Sequence, residues 1–189
     1  MIILKGKSVI LRPLESYDIP ELVEMANDAA NFDVGMRHVL NSPGELMAEV
    51  QKNNLIESER FVLAVLERAE RELIGTVHVY PTHSMYSIPE VGVYIYPKEK
   101  RGQGYGFEVT ALTVGLLFDS RPVPKVTMVT NTKNSFLFPV LERFGWTREA
   151  VMRKVFFYAG EYQDYAVYSL TRGSWEKARA LPLVKALYS

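Results

Sequence analysis

Alternating or short continuous apolar runs predict the strands of this chain, because successive side chains of a strand point to opposite faces of a sheet. Such runs occupy residues 8–13, 60–66, 73–80, 90–96, 125–130, 147–158 and 162–170. Helical patterns follow Asp18, run from Ser42 to about Asn53, follow the glycine-rich residues 101–106 to about Asp119, span residues 134–144, and close the chain from Ser174. No repeat or proline- and serine-rich linker divides the chain. The pattern therefore predicts a single mixed α/β domain over residues 1–189.

Composition narrows the class of protein. The chain has 189 residues, is 48% hydrophobic and contains no cysteine, so it can bury a core without disulfides and offers no thiolate metal site or cysteine nucleophile. Lys+Arg and Asp+Glu both number 22, which argues against a nucleic-acid partner. No apolar run reaches the roughly 18 residues of a membrane span, and the start lacks a signal-peptide pattern. We therefore expect a cytoplasmic protein with no membrane partner.

The three histidines do not predict a metal site. His38, His78 and His83 have no spacing typical of metal ligands. Each is expected to be an ordinary surface or core histidine, and no metal is expected in the protein.

Residues 90–96 predict a strand with two different faces. Val91, Val93 and Ile95 share one face, which is a plain core face. The opposite face combines a carboxylate, a gap left by a glycine and two phenols, which is unusual for pure packing. Its members are Glu90, Gly92, Tyr94 and Tyr96.

Residues 101–106, Arg-Gly-Gln-Gly-Tyr-Gly, place a glycine at every second position before a predicted helix. Glycine lets the backbone approach a ligand closely, and a helix start presents free N–H groups. With Lys98, Lys100 and Arg101 beside them, these glycines predict a phosphate cradle. The Gly-Lys-Ser/Thr of a P-loop and the G-x-G-x-x-G of a dinucleotide fold are both absent. The alternative is a glycine-rich turn that only tightens the joint between strand and helix.

The same six residues resemble the R/Q-x-x-G-x-G/A signature of the GNAT superfamily, the acyl-CoA-dependent N-acetyltransferases. Residues 9–14 followed by Asp18 are similar to that family's first strand and helix, and residues 134–146 resemble its N-x-x-S…LEKxGF helix. The resemblance covers nearly the whole chain and implies a mixed, largely antiparallel sheet of about seven strands flanked by helices. The C-terminal part resembles the RimJ/RimL-type branch, which acetylates ribosomal-protein N-termini, at Glu149, Arg153, Gly160, Asp164, Tyr168, Leu170 and Trp175.

This resemblance implies acetyl-CoA as the co-substrate. Its pyrophosphate is expected on the backbone N–H groups of residues 102–107, and its pantetheine arm beside the backbone of residues 94–96. Asn134 matches the motif asparagine that contacts the cofactor, and its other interpretation is a helix N-cap. The implied cofactor-binding residues are Tyr94, Ile95, Tyr96, Arg101, Gly102, Gln103, Gly104, Tyr105, Gly106, Phe107 and Asn134.

Amine acetylation by a thioester needs a base, stabilisation of an oxyanion, and a proton for the leaving thiolate. Without cysteine, direct transfer in a ternary complex is the simplest path. Glu90 is the predicted base because its position matches the catalytic glutamate of the superfamily's histone acetyltransferases. The alternative for Glu90 is a solvated or salt-bridged carboxylate at a strand end. The acid stays open between Tyr94, Tyr158, Ser135 and solvent.

Two positions depart from the family pattern. Leu141 stands where many members have a tyrosine, and Leu137 stands where the motif has a serine. A catalytically weak acyl-CoA-binding module is therefore kept as an alternative to an enzyme. Asp164 and Arg153 are expected to form a polar tie between the last two strands rather than to act as catalysts.

The acceptor amine is the least determined feature. An N-terminal α-amine loses its proton far more easily than a lysine side chain does, so a relayed base suffices for it, in agreement with the branch resemblance. A small amine such as a polyamine, amino acid or antibiotic is the alternative acceptor, and a homodimer is left open. Acceptor specificity is expected in residues 27–43, in residues 81–89 and at the Gly160 turn. Phe32, Met36, Met85 and Tyr86 are candidates to line an acceptor groove or to anchor these loops.

Overall fold

The computed structural model describes residues 3–32, 42–53, 60–81 and 88–188. The strands in these ranges are β1 (Leu4–Lys5), β2 (Val9–Pro13), β3 (Phe61–Glu67), β4 (Leu73–Pro81), β5 (Pro89–Ile95), β6 (Lys125–Asn131), β7 (Thr147–Tyr158) and β8 (Glu161–Thr171). They form one eight-stranded sheet in the order β1-β2-β3-β4-β5-β6-β8-β7. Neighbouring strands are antiparallel except β5 and β6. The predicted mixed, largely antiparallel fold is confirmed, and the two-residue β1 is the strand that the count of about seven omits.

Helices cover both faces of this sheet. They are α1 (Ile19–Asn27), α2 (Pro43–Asn53), α3 (Tyr105–Ser120), α4 (Leu137–Arg143), α5 (Arg172–Arg179) and α6 (Pro182–Lys185), with 3-10 turns at Ser16–Asp18, Ala29–Asn31, Lys98–Lys100 and Ala186–Tyr188. In the described ranges, no helix has the length and apolar character needed to cross a membrane.

Helix α4 begins three residues later than the sequence pattern predicts. The chain after β6 first makes two turns, in which the Asn134 amide donates to the Asn131 carbonyl and the Leu137 amide donates to the Asn134 carbonyl. Phe136 is the residue that precedes the helix. The interpretation of Asn134 as a helix N-cap is therefore wrong.

Two hydrophobic cores lie on opposite faces of the sheet. The larger one packs α3 against the central strands and includes Val91 and Ile95 of β5, which confirms the predicted core face of that strand. The smaller one lies under α1 and α2, and Tyr96 packs against it. The polar face of β5 is thus on the side of α1 and α2, opposite α3.

The parallel strands β5 and β6 pair at a single position. Glu90 is in register with Thr127, and the pairing does not continue toward Ile95 and Asn131 at the carboxyl ends of the two strands. A gap therefore opens between the carboxyl ends of β5 and β6 in the middle of the sheet. The chain leaves β5 at this end and then enters α3.

A buried carboxylate fixes the start of α3 to the edge of the sheet. Glu108 is 4% exposed, and its Oε1 accepts hydrogen bonds from the Ser8 amide at 2.8 Å and the Val9 amide at 3.3 Å. A Cβ atom at Gly6 would lie 2.1 Å from this oxygen. Gly6 therefore allows the close approach that anchors the first turn of α3.

Strands β7 and β8 are joined at an irregularity by Asp164. The register shifts between Met152 and Phe156, and Asp164 Oδ1 accepts a 2.9 Å hydrogen bond from the Lys154 amide. Arg153 is exposed. Asp164 thus ties the two strands as predicted, but its partner is the backbone of Lys154 and not the Arg153 side chain.

Candidate functional site

The glycine-rich loop ends in an open helix start. Gly102 and Gly104 have φ angles of 72° and 94°, in the left-handed region that favours glycine, and Gly104 directly precedes α3. The first amide of this segment with a partner is that of Glu108, which donates to the Gly104 carbonyl. Within the described part of the chain, the amides of residues 102–107 make no hydrogen bond. They form a set of donors suited to an anion.

Space around the loop also suits a close ligand. A Cβ atom placed on Gly102, Gly104 or Gly106 would meet no atom of the described chain within 4 Å. The three glycines are therefore not required by packing against the protein itself, and their open surroundings leave room for a ligand. The positive φ of Gly102 and Gly104 also fits a tight turn, so that alternative stays open.

One of the predicted cations beside the loop, Lys100, is paired with carboxylates of the protein. Lys100 Nζ lies 3.0 Å from a Glu67 carboxylate oxygen and 3.1 Å from one of Glu72, and these hydrogen bonds hold the pKa of Lys100 above its usual value. The Tyr105 hydroxyl donates to the other Glu67 oxygen. Lys100 is therefore already neutralised and adds little to the attraction for an anion that the backbone amides and the helix start provide.

Arg101 is likewise bonded within the protein. Its guanidinium donates to the carbonyls of Ile95 at 2.7 Å, Tyr96 at 2.6 Å and Asn31 at 2.6 Å. The signature arginine thus holds the end of β5 against the turn after α1. Its predicted contact with a cofactor stays a prediction, and the structure shows a positioning role for its side chain.

A cavity of about 430 Å³ runs from this loop into the gap between β5 and β6. Gly102, Gly106 and Phe107 line its outer part, and Glu90 lines the part where the two strands meet. The cavity therefore connects the predicted phosphate cradle with the predicted base. It is large enough for a small-molecule ligand.

Glu90 is held by a tyrosine on the neighbouring strand. Glu90 and Tyr80 are opposite each other in the β4–β5 register, and the Tyr80 hydroxyl donates a 2.7 Å hydrogen bond to Glu90 Oε1. Burial raises the pKa of Glu90 above its usual value, and the bond from Tyr80 opposes this shift. A partly desolvated carboxylate with a raised pKa is suited to accept a proton near neutral pH. Its partner is a phenol, so the predicted alternative of a salt-bridged glutamate does not apply within the described residues.

Tyr94 lies over Gly92 on the same face. A Cβ atom at Gly92 would be 3.4 Å from Tyr94 Cε2 and 3.5 Å from its hydroxyl oxygen. The gap left by the glycine is therefore occupied by the Tyr94 ring, which lies back along the strand in the direction of Glu90. His78 holds the ring from the next strand in an edge-to-face contact with centroids 5.3 Å apart.

His78 and Tyr96 are linked through the hydroxyl group of Thr76. Thr76 Oγ1 is 3.0 Å from His78 Nε2 and 3.3 Å from the Tyr96 hydroxyl. Burial lowers the pKa of His78 to about 4, with a further contribution from the Arg60 charge, so the ring is neutral at pH 7. Burial also raises the pKa of Tyr96 to about 12. His78 is a core histidine as predicted, but it touches the candidate site.

The backbone of Tyr96 is engaged on both sides. Its amide donates to the Ile74 carbonyl, and its carbonyl accepts from Arg101. Tyr96 does not line the cavity, and its predicted contact with a cofactor arm stays a prediction. Tyr94 and Ile95 line the cavity and remain predicted contacts.

The turn before α4 forms another wall. Asn134 lines the cavity, and its Nδ2 donates to Thr130 Oγ1 at 3.1 Å. Leu137 and Leu141, which replace the serine and tyrosine of the family pattern, also line it. Ser135 is exposed and does not line the cavity. Of the named candidates for the acid, Tyr94 is in the cavity wall, whereas Ser135 and Tyr158 are not.

Tyr80 is the functional candidate that sequence reasoning missed. Tyr80 and Glu90 flank the loop between two predicted strands, so counting outward from that loop places them opposite each other. His78 lies on the same face as Tyr80 two residues earlier. This alternation along the strand is the sequence feature from which both residues could have been identified as neighbours of the site.

Several predicted loop residues lie outside the described ranges. Met36, Met85 and Tyr86 are among them, as are His38 and His83. Phe32 is described and half-buried. Where the structure describes the chain, no group of three His, Asp or Glu side chains is placed to hold a metal ion.

A match to a family model identifies the protein family of this chain. The GNAT acetyltransferase domain model matches residues 8–147, which include the strands around the gap, the glycine-rich loop and α4. The chain belongs to the GNAT acetyltransferase family. It is accordingly an acetyl-CoA-dependent N-acetyltransferase.

Relatives and solved structures agree with this assignment. The uncharacterized N-acetyltransferase YoaA of Bacillus subtilis is 25% identical over 173 residues, which are 90% of this chain and 97% of that protein. The fold is similar to that of the spermidine N-acetyltransferase of Vibrio cholerae in complex with CoA and spermine (TM-score 0.76, 19% identity, covering 89% of this chain and 98% of the other). It is also similar to the ribosomal-protein-S5-alanine acetyltransferase of Vibrio fischeri (TM-score 0.75, 19% identity, covering 93% of this chain and 99% of the other). At these identities the two structures show the shared fold, and they do not select an acceptor.

Proposed function

We propose that this GNAT enzyme transfers an acetyl group from acetyl-CoA to the α-amine of a protein N-terminus, by direct attack in a ternary complex. The observation that carries the proposal is the position of Glu90. Its half-buried carboxylate lies at the closed end of the gap between β5 and β6 and lines the same cavity as the glycine-rich loop.

The residues of the loop fit the co-substrate. The amides of residues 102–107, which have no partner among the described residues, provide donors for a pyrophosphate. The space that the described chain leaves open at Gly102, Gly104 and Gly106 permits its close approach. The gap beyond Glu90 leaves an edge of β5 beside which the pantetheine arm can lie, at Tyr94 and Ile95. Acetyl-CoA supplies the activated acyl group there.

The protein's own groups complete the chemistry. The attacking amine nitrogen forms a bond to the acyl carbon, the carbon–sulfur bond breaks, and the sulfur leaves with the electron pair. Glu90 accepts the amine proton, directly or through one water molecule. The Tyr94 hydroxyl, held over Gly92 by His78, is the proposed proton donor to the leaving thiolate.

Charge in the cavity favours a singly charged acceptor. Among the described residues that line it, Glu90 is the sole carboxylate, and Lys100 and Arg101 are the cations. A polyamine carries several positive charges and is best bound where several carboxylates face it. A protein N-terminus has one amine, which is roughly a tenth deprotonated at pH 7 and needs only one proton acceptor.

A polyamine is the second candidate acceptor. The fold similarity to the spermidine N-acetyltransferase of Vibrio cholerae is its specific support. Residues 33–41, 54–59 and 82–87 lie outside the described ranges, and the sequence-based prediction places acceptor specificity partly in them. Measured activity with each acceptor therefore distinguishes a protein N-terminus from a polyamine.

The test is thiol release from acetyl-CoA with matched acceptors. One peptide has a free α-amine and no lysine, a second has an acetylated α-amine and one lysine, and the third acceptor is spermidine. We expect kcat/KM for the first peptide to exceed the other two by at least tenfold. Preference for spermidine would replace the proposed acceptor, and no release with any amine would support an acyl-CoA-binding module.

A further inference from the structure

A carboxylate at the end of β3 contacts residues on both sides of the glycine-rich loop. Glu67 Oε2 accepts a 3.0 Å hydrogen bond from Lys100 Nζ, and Glu67 Oε1 accepts one from the Tyr105 hydroxyl. Lys100 ends the 3-10 turn that directly precedes residues 101–106, and Tyr105 is the first residue of α3. The two bonds therefore span the segment that contains both positive φ angles of the loop.

Glu67 is itself fixed in the turn between β3 and β4. Its amide donates to the Glu72 carbonyl and its carbonyl accepts from the Arg71 amide, both at 2.9 Å. Its side chain is 14% exposed, and the hydrogen bonds from Tyr105 and Lys100 lower the pKa of its carboxyl group. The side chain that joins the two sides of the loop is therefore an ionised carboxylate on an ordered part of the sheet.

Inside the loop, the described chain makes few contacts of its own. The amides of residues 102–107 have no hydrogen-bond partner among the described residues, and an added Cβ at Gly102 or Gly104 would meet no described atom within 4 Å. Gln103 Nε2 donates to the Glu99 carbonyl at 2.5 Å. Glycine loses more conformational freedom than any other residue when it becomes ordered. A loop of this composition therefore binds an anion more tightly if it is ordered before the anion arrives.

The charge of Glu67 does not by itself help an anion to bind. A carboxylate repels a phosphate, and its pairing with Lys100 reduces this repulsion. Arg101 fixes the start of the loop to the end of β5. Through Tyr105, Glu67 adds a fixed point at the first residue of α3. The contribution of Glu67 is therefore to the shape of the loop rather than to its charge.

We infer that Glu67 is a positioning residue for acetyl-CoA: through Lys100 and Tyr105 it holds the glycine-rich loop in the shape that receives the pyrophosphate. This inference rests on the proposed placement of CoA at that loop. Glu67 does not line the cavity, so it acts through the loop and not by contact with the ligand. The groups whose direction it fixes are the backbone amides of residues 102–107.

Calorimetric titration of the full-length protein with CoA tests this role by the sign of the effect. Glu67→Ala removes both bonds, and CoA affinity should fall about tenfold, whereas the loss of a negative charge alone would raise it. Glu72→Ala is the matched control, because Glu72 is also paired with Lys100, at 3.1 Å, and its removal leaves the bond between Glu67 and Tyr105 in place. This control should bind CoA within about twofold of wild type.

The outcomes separate the inference from the proposed function. Equal or tighter binding of CoA by a folded Glu67→Ala variant, with CoA bound by the wild type, overturns the inference and leaves the proposed function intact. Failure of the wild type to bind CoA overturns both. An equal loss of affinity in Glu72→Ala would assign the effect to Lys100 alone and would contradict the role of the bond to Tyr105.

Steady-state kinetics separate positioning of the loop from a general loss of structure. With the most active of the three acceptors above, Glu67→Ala should raise KM for acetyl-CoA about tenfold while kcat at saturating acetyl-CoA stays within about twofold. Tyr105→Phe removes one hydroxyl group and should raise this KM by a smaller factor, and it replaces Glu67→Ala if that variant does not fold. A lower kcat with an unchanged KM in Glu67→Ala, or a wild-type KM in a folded Tyr105→Phe variant, would contradict the inference.

Discussion

Tyr80 and Glu90 face each other across the β4–β5 register and share a 2.7 Å hydrogen bond. The bond places a proton donor on the carboxylate that we propose as the base. It lowers the pKa of Glu90, whereas burial, the larger effect, raises it. Burial thus sets the direction of the shift in the pKa of the base, and a neighbour on another strand moderates it.

Replacing Tyr80 should therefore move the pH dependence of turnover. In Tyr80→Phe the hydrogen bond that lowers the pKa of Glu90 is lost, so this pKa rises further. Glu90 acts as a base only when ionised, so the acidic limb of kcat/KM should shift to higher pH in the variant. A pH–rate profile by thiol release measures the shift, and Tyr162→Phe, at an exposed tyrosine of β8, is the control. An unshifted limb would separate Tyr80 from the proton transfer.

Gly106 allows a test of the cradle that does not strain the backbone. Its φ is not positive, it lies in the first turn of α3, and an added Cβ would meet no atom of the described chain within 4 Å. Leucine is a good helix former, so Gly106→Leu should preserve folding and raise stability by about 0.5–1 kcal/mol through helix propensity. The signature allows alanine at this position, but the longer leucine side chain projects where the co-substrate is proposed to approach, so CoA affinity should fall at least tenfold.

Gly173→Leu is the matched control for this experiment. Gly173 also lies in the first turn of a helix, α5, and an added Cβ would meet no atom of the described chain within 4 Å. The control should show the gain in thermal stability with no loss of CoA affinity by calorimetry. Normal affinity in Gly106→Leu would remove this part of the loop from the binding site.

His78 should make the protein sensitive to mild acid. Its pKa is lowered to about 4 in the folded state, against about 6.5 when unfolded, so the unfolded chain binds more protons between these values. The free energy of unfolding should fall by up to roughly 3 kcal/mol as the pH drops from 6.5 to 4. His78→Gln keeps a partner for Thr76 and removes the titration. Urea unfolding across this window should show a flatter pH dependence in the variant, and an unchanged slope would contradict the assignment.

The β4–β5 hairpin shows how much of the site the sequence could predict. Alternation alone assigned Val91 and Ile95 to the core and Glu90 and Tyr94 to the opposite face, because strand geometry allows no other arrangement of successive side chains. The glycines at 102 and 104 predicted a loop with unusual backbone angles, and both have a positive φ. These features are local, so they can be deduced from neighbouring residues.

Long-range partners could not be predicted in this way. Lys100 was expected to face phosphates, yet it pairs with Glu67 and Glu72 of the β3–β4 turn region. Arg101 also has a partner that the sequence does not predict, the carbonyl of Asn31 after α1. A long side chain selects its partner from whatever the fold brings near it. Spacing along the chain carries no information about that choice.

Glu90→Gln tests the central claim most directly. The amide keeps the size of the side chain and can accept the bond from Tyr80, but it cannot take a proton from the amine. Because burial raises the pKa of Glu90, the ionised carboxylate disfavours folding at neutral pH, and the variant should be at least as stable as wild type. Measured at pH 7 with a free α-amine peptide, kcat should fall at least tenfold while the calorimetric affinity for CoA is unchanged. Wild-type turnover in a folded, CoA-binding Glu90→Gln variant would contradict the account.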